Sequence, residues 1–241
     1  MNNKIAAIIL GAGKGTRMKS DKPKVLMPVC GKPMITHILE TLKTLPADEI
    51  ITVISPDGNE VAQAVAPYKT CIQEQQLGTG HAVNCTKELL KDFSGTVLVI
   101  FGDTPLITKE TFKRAAEKVE DGFAVVVLGF RPQDPARYGR LVMNGQELDR
   151  IVEYKDANEE EKAITFCNSG FMAFDGSYLF QILAQISNNN AAGEFYLTDA
   201  VATAHKLGLK CSAFEGNAEE VASANTLEEL AQLEVYYKKV C

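Results

Sequence analysis

The segment Gly11-Ala12-Gly13-Lys14-Gly15-Thr16-Arg17 follows the short apolar run 5–10. Glycines carry no Cβ, so their backbone N–H groups can approach an anion closely, and a nearby helix start adds positive potential. Lys14, Arg17, Lys19, Lys22 and Lys24 fall within eleven residues of a chain whose formal net charge is −6. Arg17 can fork onto two phosphate oxygens, and Lys24 can supply a point charge. The chemistry that suits this set is gripping and neutralising a polyphosphate. It is not a Walker A loop, which needs Lys-Ser/Thr directly after its last glycine, where Thr16-Arg17 stands. Nor is it a dinucleotide fingerprint, whose third glycine would occupy the position of Thr16. A plain turn and a solvated charge run are the competing readings. The location favours phosphate: the loop leaves the carboxyl end of the first strand, where open α/β sheets bind ligands.

Apolar runs alternate with helical patterns and so position this loop. Run 5–10 reads as a strand buried on both faces and 97–101 as another buried strand, with further strands at 50–54 and 123–130 and a short one at 70–73. Between them, 33–45, 59–66, 79–90 and 108–119 read as helices, the first opened by Pro33. This β-α-β rhythm predicts a mostly parallel sheet flanked by helices. The second half changes rhythm. Runs 141–143 and 147–152 flank Asn144-Gly145, a hairpin signal. A charged loop is read at 155–162, a strand at 164–174 interrupted by Asn168-Ser169-Gly170, and a strand near 210–214. Helices are read at 176–186, 197–207 and 227–237. The expected fold is α/β and Rossmann-like: a doubly wound, mostly parallel mixed sheet with a smaller β-rich lobe, in a single domain over 1–241.

Lys+Arg 25 against Asp+Glu 31 disfavours a broad nucleic-acid face and a polybasic membrane surface. No apolar stretch approaches the ~18–20 residues of a membrane-spanning helix. Residues 1–13 hold too short an apolar stretch for a signal-peptide core. Cys30, Cys71, Cys85, Cys167, Cys211 and Cys241 are scattered, without a CxxC pair or zinc spacing, and read as reduced thiols of a cytoplasmic protein.

The motif Leu10-Gly-Ala-Gly-Lys-Gly-Thr-Arg-Met18, followed by Lys22-Pro-Lys-Val-Leu26, resembles the signature of sugar nucleotidyltransferases, which join a nucleoside triphosphate to a sugar 1-phosphate. Further matches are Gln75-Gln-Leu-Gly-Thr-Gly-His-Ala82, Phe101-Gly-Asp-Thr-Pro-Leu106, Tyr138-Gly-Arg140, Ile151-Val-Glu-Tyr-Lys-Asp156, Asn168-Ser-Gly170 and the segment Asn188 to Asp199. Together, over about residues 4–230, they are similar to the uridylyltransferase domains of bacterial bifunctional enzymes that also carry an acetyltransferase. The hexapeptide repeats of the left-handed β-helix in those enzymes do not occur here.

The resemblance implies UTP and N-acetylglucosamine 1-phosphate as substrates and UDP-N-acetylglucosamine and pyrophosphate as products, for cell-envelope precursors. It implies Mg²⁺ as cofactor. Without the β-helix repeats of those relatives a monomer or weak oligomer is expected, and the charge balance leaves neither nucleic acid nor membrane as partner. Arg17 and Lys24 would be catalytic, gripping the triphosphate. Leu10, Gly11, Ala12, Gly13, Lys14, Gly15 and Thr16 would hold the nucleotide, with Gln73, Gln76, Gly78 and Thr79 around the base. Asp103 and Asn225 would be the metal ligands, although Asn225 also reads as a helix N-cap. Gly102, Gly139, Glu153, Lys155, Asn168, Tyr196 and Thr198 would line the sugar end. Phe101 stands where a Tyr is frequent, and Gly11 where an Ala is. The nucleophile would be a sugar-phosphate oxygen already ionised at neutral pH, so no general base is required. Accordingly His37, His81 and His205 receive no catalytic role, and Asp199 reads as structural at a helix start. Within the same class, another sugar or base, or a molybdenum-cofactor or cytidylyl transferase, is the alternative; outside it, a catalytically silent nucleotide-sugar binder.

Overall fold

A computed structural model describes residues 4–13, 22–135, 138–190 and 192–240. From the amino end come β1 (Ile5–Leu10), a 3-10 turn (Lys24–Leu26), the short strands β2 (Pro28–Val29) and β3 (Lys32–Pro33), α1 (Met34–Leu42) and β4 (Ala47–Ile54). Next are α2 (Asn59–Val65), β5 (Lys69–Ile72), α3 (Thr79–Asn84), α4 (Lys87–Leu90), β6 (Thr96–Phe101), α5 (Lys109–Glu120) and β7 (Val125–Phe130). The second half adds β8 (Arg140–Asn144), β9 (Glu147–Val152), α6 (Glu159–Lys162), β10 (Cys167–Asp175) and α7 (Gly176–Leu183). A 3-10 turn (Leu197–Asp199), α8 (Ala200–Lys206), β11 (Cys211–Glu215) and α9 (Leu227–Val240) follow.

One sheet of nine strands runs β5-β4-β1-β6-β10-β7-β11-β9-β8. β5, β4, β1 and β6 are parallel, and β10 is inserted antiparallel between β6 and β7. The register aligns the carboxyl ends: Leu10 lies beside Val53 on one side and Phe101 on the other, and Ile54 lies beside Ile72. The predicted Asn144-Gly145 hairpin forms between β8 and β9, and it extends the sheet through Ser212–Glu147 and Cys167–Arg140 pairings.

The near-continuous apolar strands are explained by burial on both faces. Ile5, Ala7 and Ile9 pack with α1, α2 and α5, while Ala6 and Ile8 pack with α3, α7 and α8. A third cluster joins Met27, Val29 and Met34 to Leu106 and to Ala224 and Leu233. It ties the 3-10 turn, the segment after β6 and α9 into one corner.

Several expected boundaries move. The helix read at 79–90 is broken in two, because the Thr86 hydroxyl donates to Val83 O at 2.7 Å instead of leaving the helical ladder undisturbed. Within the loop read at 155–162, Asn158 and Glu161 form a capping box that starts α6. The strand read from 164 begins at Cys167, and the expected interruption appears as a register shift between Asn168 and Met172. The helix read at 197–207 opens as the 3-10 turn before α8.

Candidate active site

Three side chains meet at the carboxyl edge of the parallel strands. Lys24, on the first 3-10 turn, donates from Nζ to Asp103 Oδ2 and to Asn225 Oδ1, the latter at 2.8 Å. Asp103 follows β6, and Asn225 precedes α9. The apolar cluster of Met27, Leu106 and Leu233 holds all three segments together. The Lys24 and Asp103 side chains are only 15% and 16% exposed, so their attraction is screened far less than at an open surface.

The expected cap role of Asn225 passes to its neighbour. Thr226 Oγ1 accepts from Glu229 N at 3.2 Å, and Glu229 Oε2 accepts from Asn225 N at 2.6 Å. With the helix start satisfied in this way, the Asn225 amide oxygen is left to face Lys24. A carboxylate oxygen and an amide oxygen thus converge on one cation. Both are hard donors of the kind that Mg²⁺ takes, with phosphates and waters completing its octahedron. Among the described residues, no group of three or more His, Cys, Asp or Glu could hold a metal, so any ion here would depend on ligand oxygens.

Beside this corner, residues 11–13 leave β1 and form one wall of a cleft of about 430 Å³. Lys22, Asp57, Gly58 and Gln76 are among its other lining residues. Gln76 Nε2 donates to Ala12 O at 2.5 Å, tying the glycine segment to the loop after β5. Gln73 is buried and hangs from β4 by its N–H, which donates to Ile54 O at 2.8 Å. Thr79 Oγ1 accepts from Leu197 N at 3.0 Å. Gly78 has φ 110°, which side-chain-bearing residues rarely adopt, and a Cβ there would lie 2.6 Å from Phe195 O. Gly78→Ala is therefore expected to cost about 1–3 kcal/mol of backbone strain alone. A nucleotide titration should show weakened triphosphate affinity, together with a lowered melting temperature.

The remaining predicted residues gather on β8, β9 and β10. Asn168 N donates to Gly139 O at 2.8 Å, and Gly170 N donates to Asn168 Oδ1 at 3.0 Å. A Cβ at Gly139 would lie 3.5 Å from both Glu153 carboxylate oxygens, so the glycine lets this backbone lie close to that acid. Phe101 packs against Gly170, which links this pocket to the Gly102-Asp103 corner. Burial holds the Glu153 carboxyl above its ordinary value of 4.5, and Asp156 and Asp199 push in the same direction. Burial also raises Asp199, which stands at the start of α8, as expected, without a side-chain cap hydrogen bond. Tyr196 is raised by burial first and then by Glu194, Glu153, Asp156 and Asp199. Tyr196 and Thr198 border this acidic group half-buried, while Lys155 is exposed on the loop after β9.

A raised carboxyl contributes stability that is full below about pH 4.5 and lost as pH rises through the raised value. Ionised Glu153 therefore costs stability at neutral pH, as expected of a group kept for binding. Glu153→Gln should melt higher than the wild type at pH 7.5, with the gap closing near pH 4.5. Equal gaps at both pH values in thermal denaturation would contradict this reading.

Sequence reasoning missed Arg140. Its side chain is only 1% exposed. Nη1 donates to Tyr138 O, to Pro135 O at 2.6 Å and to Cys167 Sγ at 3.9 Å, and Nη2 donates to Lys162 O at 3.4 Å. The guanidinium lies 5.4 Å from the Tyr154 ring centroid. The only signal was the Tyr138-Gly-Arg140 motif itself. The predicted residues Lys14, Gly15, Thr16 and Arg17 lie outside the described residues, as does Lys19 of the basic run.

Residues 7–169 match the MobA-like NTP transferase domain. The chain belongs to this family. Its nucleotidyltransferase class, read above from the glycine segment and its companion motifs, is that of the MobA-like NTP transferase domain itself. Among curated relatives, the bifunctional protein GlmU of Rhodospirillum rubrum is 52% identical over 234 residues, covering 96% of this chain and 52% of that protein. The bifunctional protein GlmU of Paramagnetospirillum magneticum is 47% identical over 235 residues, covering 97% of this chain and 52% of that protein. The chain thus spans about half the length of these relatives. In fold, it is similar to a Bacillus anthracis protein described as a glucose-1-phosphate thymidylyltransferase, crystallised with sucrose. The TM-score is 0.77 at 21% identity, over 96% of this chain and 94% of that one. No described helix is long and apolar enough to cross a membrane.

Proposed function

We propose that the chain is a Mg²⁺-dependent cytoplasmic uridylyltransferase that converts UTP and N-acetyl-α-D-glucosamine 1-phosphate to UDP-N-acetylglucosamine and pyrophosphate. The observation that carries the proposal is the convergence of Asp103 and Asn225 on Lys24 at the carboxyl edge of the sheet. The choice of substrates is supported by the motifs quoted above and by relatives such as one 52% identical over 234 residues.

In this reading, a sugar-phosphate oxygen attacks the α-phosphorus of UTP, a new P–O bond forms, and the bond to the departing pyrophosphate breaks. Mg²⁺, held by Asp103 and Asn225, would supply charge neutralisation at the phosphoryl oxygens. Lys24 places a fixed cation at the same corner, aimed where charge accumulates as pyrophosphate departs. Arg17 would add a second cation to the triphosphate. Glu153 and Asn168 would fix the sugar, the carboxylate accepting from hydroxyls and the amide both accepting and donating. Gln73 would read the base beside Gly78 and Thr79. Catalysis is then positioning of two anions in line, and the attacking oxygen needs no base.

A competition assay tests the substrate assignment. The four common nucleoside triphosphates are offered together with N-acetylglucosamine 1-phosphate and Mg²⁺, and products are identified by mass. UDP-N-acetylglucosamine should dominate. A different dominant nucleotide sugar would overturn the assignment, and no product at all would favour a silent binder.

A further inference from the structure

Gln73 is 4% exposed, and its amide nitrogen is already committed. Nε2 lies 3.1 Å from Gly78 O and 3.1 Å from His81 Nδ1. An amide nitrogen has two hydrogens, and these two acceptors use both. Gly78 O can only accept. The remaining degree of freedom is therefore at His81, whose Nδ1 must carry its lone pair to complete the arrangement. Cys85 Sγ lies 3.9 Å from the same nitrogen, and burial keeps that thiol protonated, so it too can donate there. Among the described residues, none is seen to donate a hydrogen bond to Gln73 Oε1. It is thus the atom that Gln73 offers to a ligand.

We propose that His81 is a specificity-determining residue: its Nδ1 lone pair, together with Gly78 O, holds the Gln73 amide so that an acceptor faces the base. A site of this polarity takes a pyrimidine that presents a ring N–H, as uracil does, and rejects one that presents a lone pair there, as cytosine does. This inference rests on the uridylyltransferase reading and on Gln73 contacting the base. His81 touches no reacting atom and acts through Gln73.

The test compares kcat/KM for UTP and for CTP in the wild type, His81→Phe and His81→Asn, at saturating N-acetylglucosamine 1-phosphate. His81→Phe removes the acceptor, and the UTP/CTP ratio should fall at least about tenfold, since unpairing a built hydrogen-bond site is what gives strong rejection. The KM for the sugar phosphate should stay within about twofold, because that pocket lies on other strands. Asn carries an oxygen near the place of Nδ1 and should restore most of the ratio. A ratio unchanged in His81→Phe, or no recovery in His81→Asn, would overturn the proposal. A second readout uses the unmodified protein: long-range ¹H–¹⁵N NMR of the histidine rings, with His81→Asn assigning the His81 signal. A proton on Nε2 and none on Nδ1 is expected, and a proton on Nδ1 would refute the inference whether or not any variant folds. Absence of turnover with UTP in the wild type would instead refute the uridylyltransferase reading and leave the NMR result to decide the amide orientation.

Discussion

Lys24→Ala should lower kcat by about 10²–10³-fold, the usual loss when one preorganised charge or donor is removed from a transition state, or roughly 2.7–4 kcal/mol. Lys24 earns so large an effect from its position. Its ammonium bridges Asp103 and Asn225, residues 79 and 201 positions away in sequence, in a corner that is mostly buried. Truncation removes the fixed cation and also leaves the Asp103 carboxylate without its partner. Charge builds on the departing pyrophosphate only as the reaction proceeds, so kcat should fall further than triphosphate affinity weakens. Steady-state kinetics with both substrates varied separates the two. Activity within about threefold of the wild type would remove Lys24 from the machinery.

The second large effect concerns stability. Arg140→Met should cost about 3 kcal/mol, because the Pro135, Tyr138 and Lys162 carbonyls lose a charged donor in a part-buried setting, and a hydrogen bond to a charged group is worth about 1.5–3 kcal/mol. For a chain of this length that corresponds to a fall in melting temperature of roughly 6–12 °C. Methionine keeps most of the apolar stem, so the loss reports hydrogen bonding more than volume. Among the described residues, none supplies Arg140 with a carboxylate and none pairs with its Nε. The neighbouring Gly139 and Asn168 share a backbone hydrogen bond. The variant should therefore also raise the KM for the sugar phosphate more than that for the triphosphate. Calorimetry showing a loss below about 1 kcal/mol would contradict the role given to these bonds.

The sequence was legible where one physical cause acts locally. The run 5–10 reads as a strand because β1 is buried on both faces, so its residues need not alternate. Thr108 reads as the start of α5 because its hydroxyl caps Thr111 N. Asn144-Gly145 announces the hairpin because Gly145 sits at φ 62°. Legibility failed where the cause is distant. Asn225 could be read as a cap or as a ligand, and only the folded contact with Lys24 separates the two, with Thr226 taking the cap. Arg140 looks like a surface cation until β10 and the end of α6 close around it. Glu153 and Asp199 share no local pattern, yet the fold brings their charges within influence of each other. The site's own motifs were legible as a family resemblance, whereas the contact between Gln73 and His81 is visible only in three dimensions.

Initial-rate release of pyrophosphate from UTP and N-acetylglucosamine 1-phosphate, measured across a Mg²⁺ titration in the wild type and in Asp103→Asn, tests the central claim most directly. The account predicts metal-dependent release by the wild type and a severe loss in Asp103→Asn that added Mg²⁺ restores only in part. No release by the wild type, or release with the same metal dependence in both proteins, would contradict it.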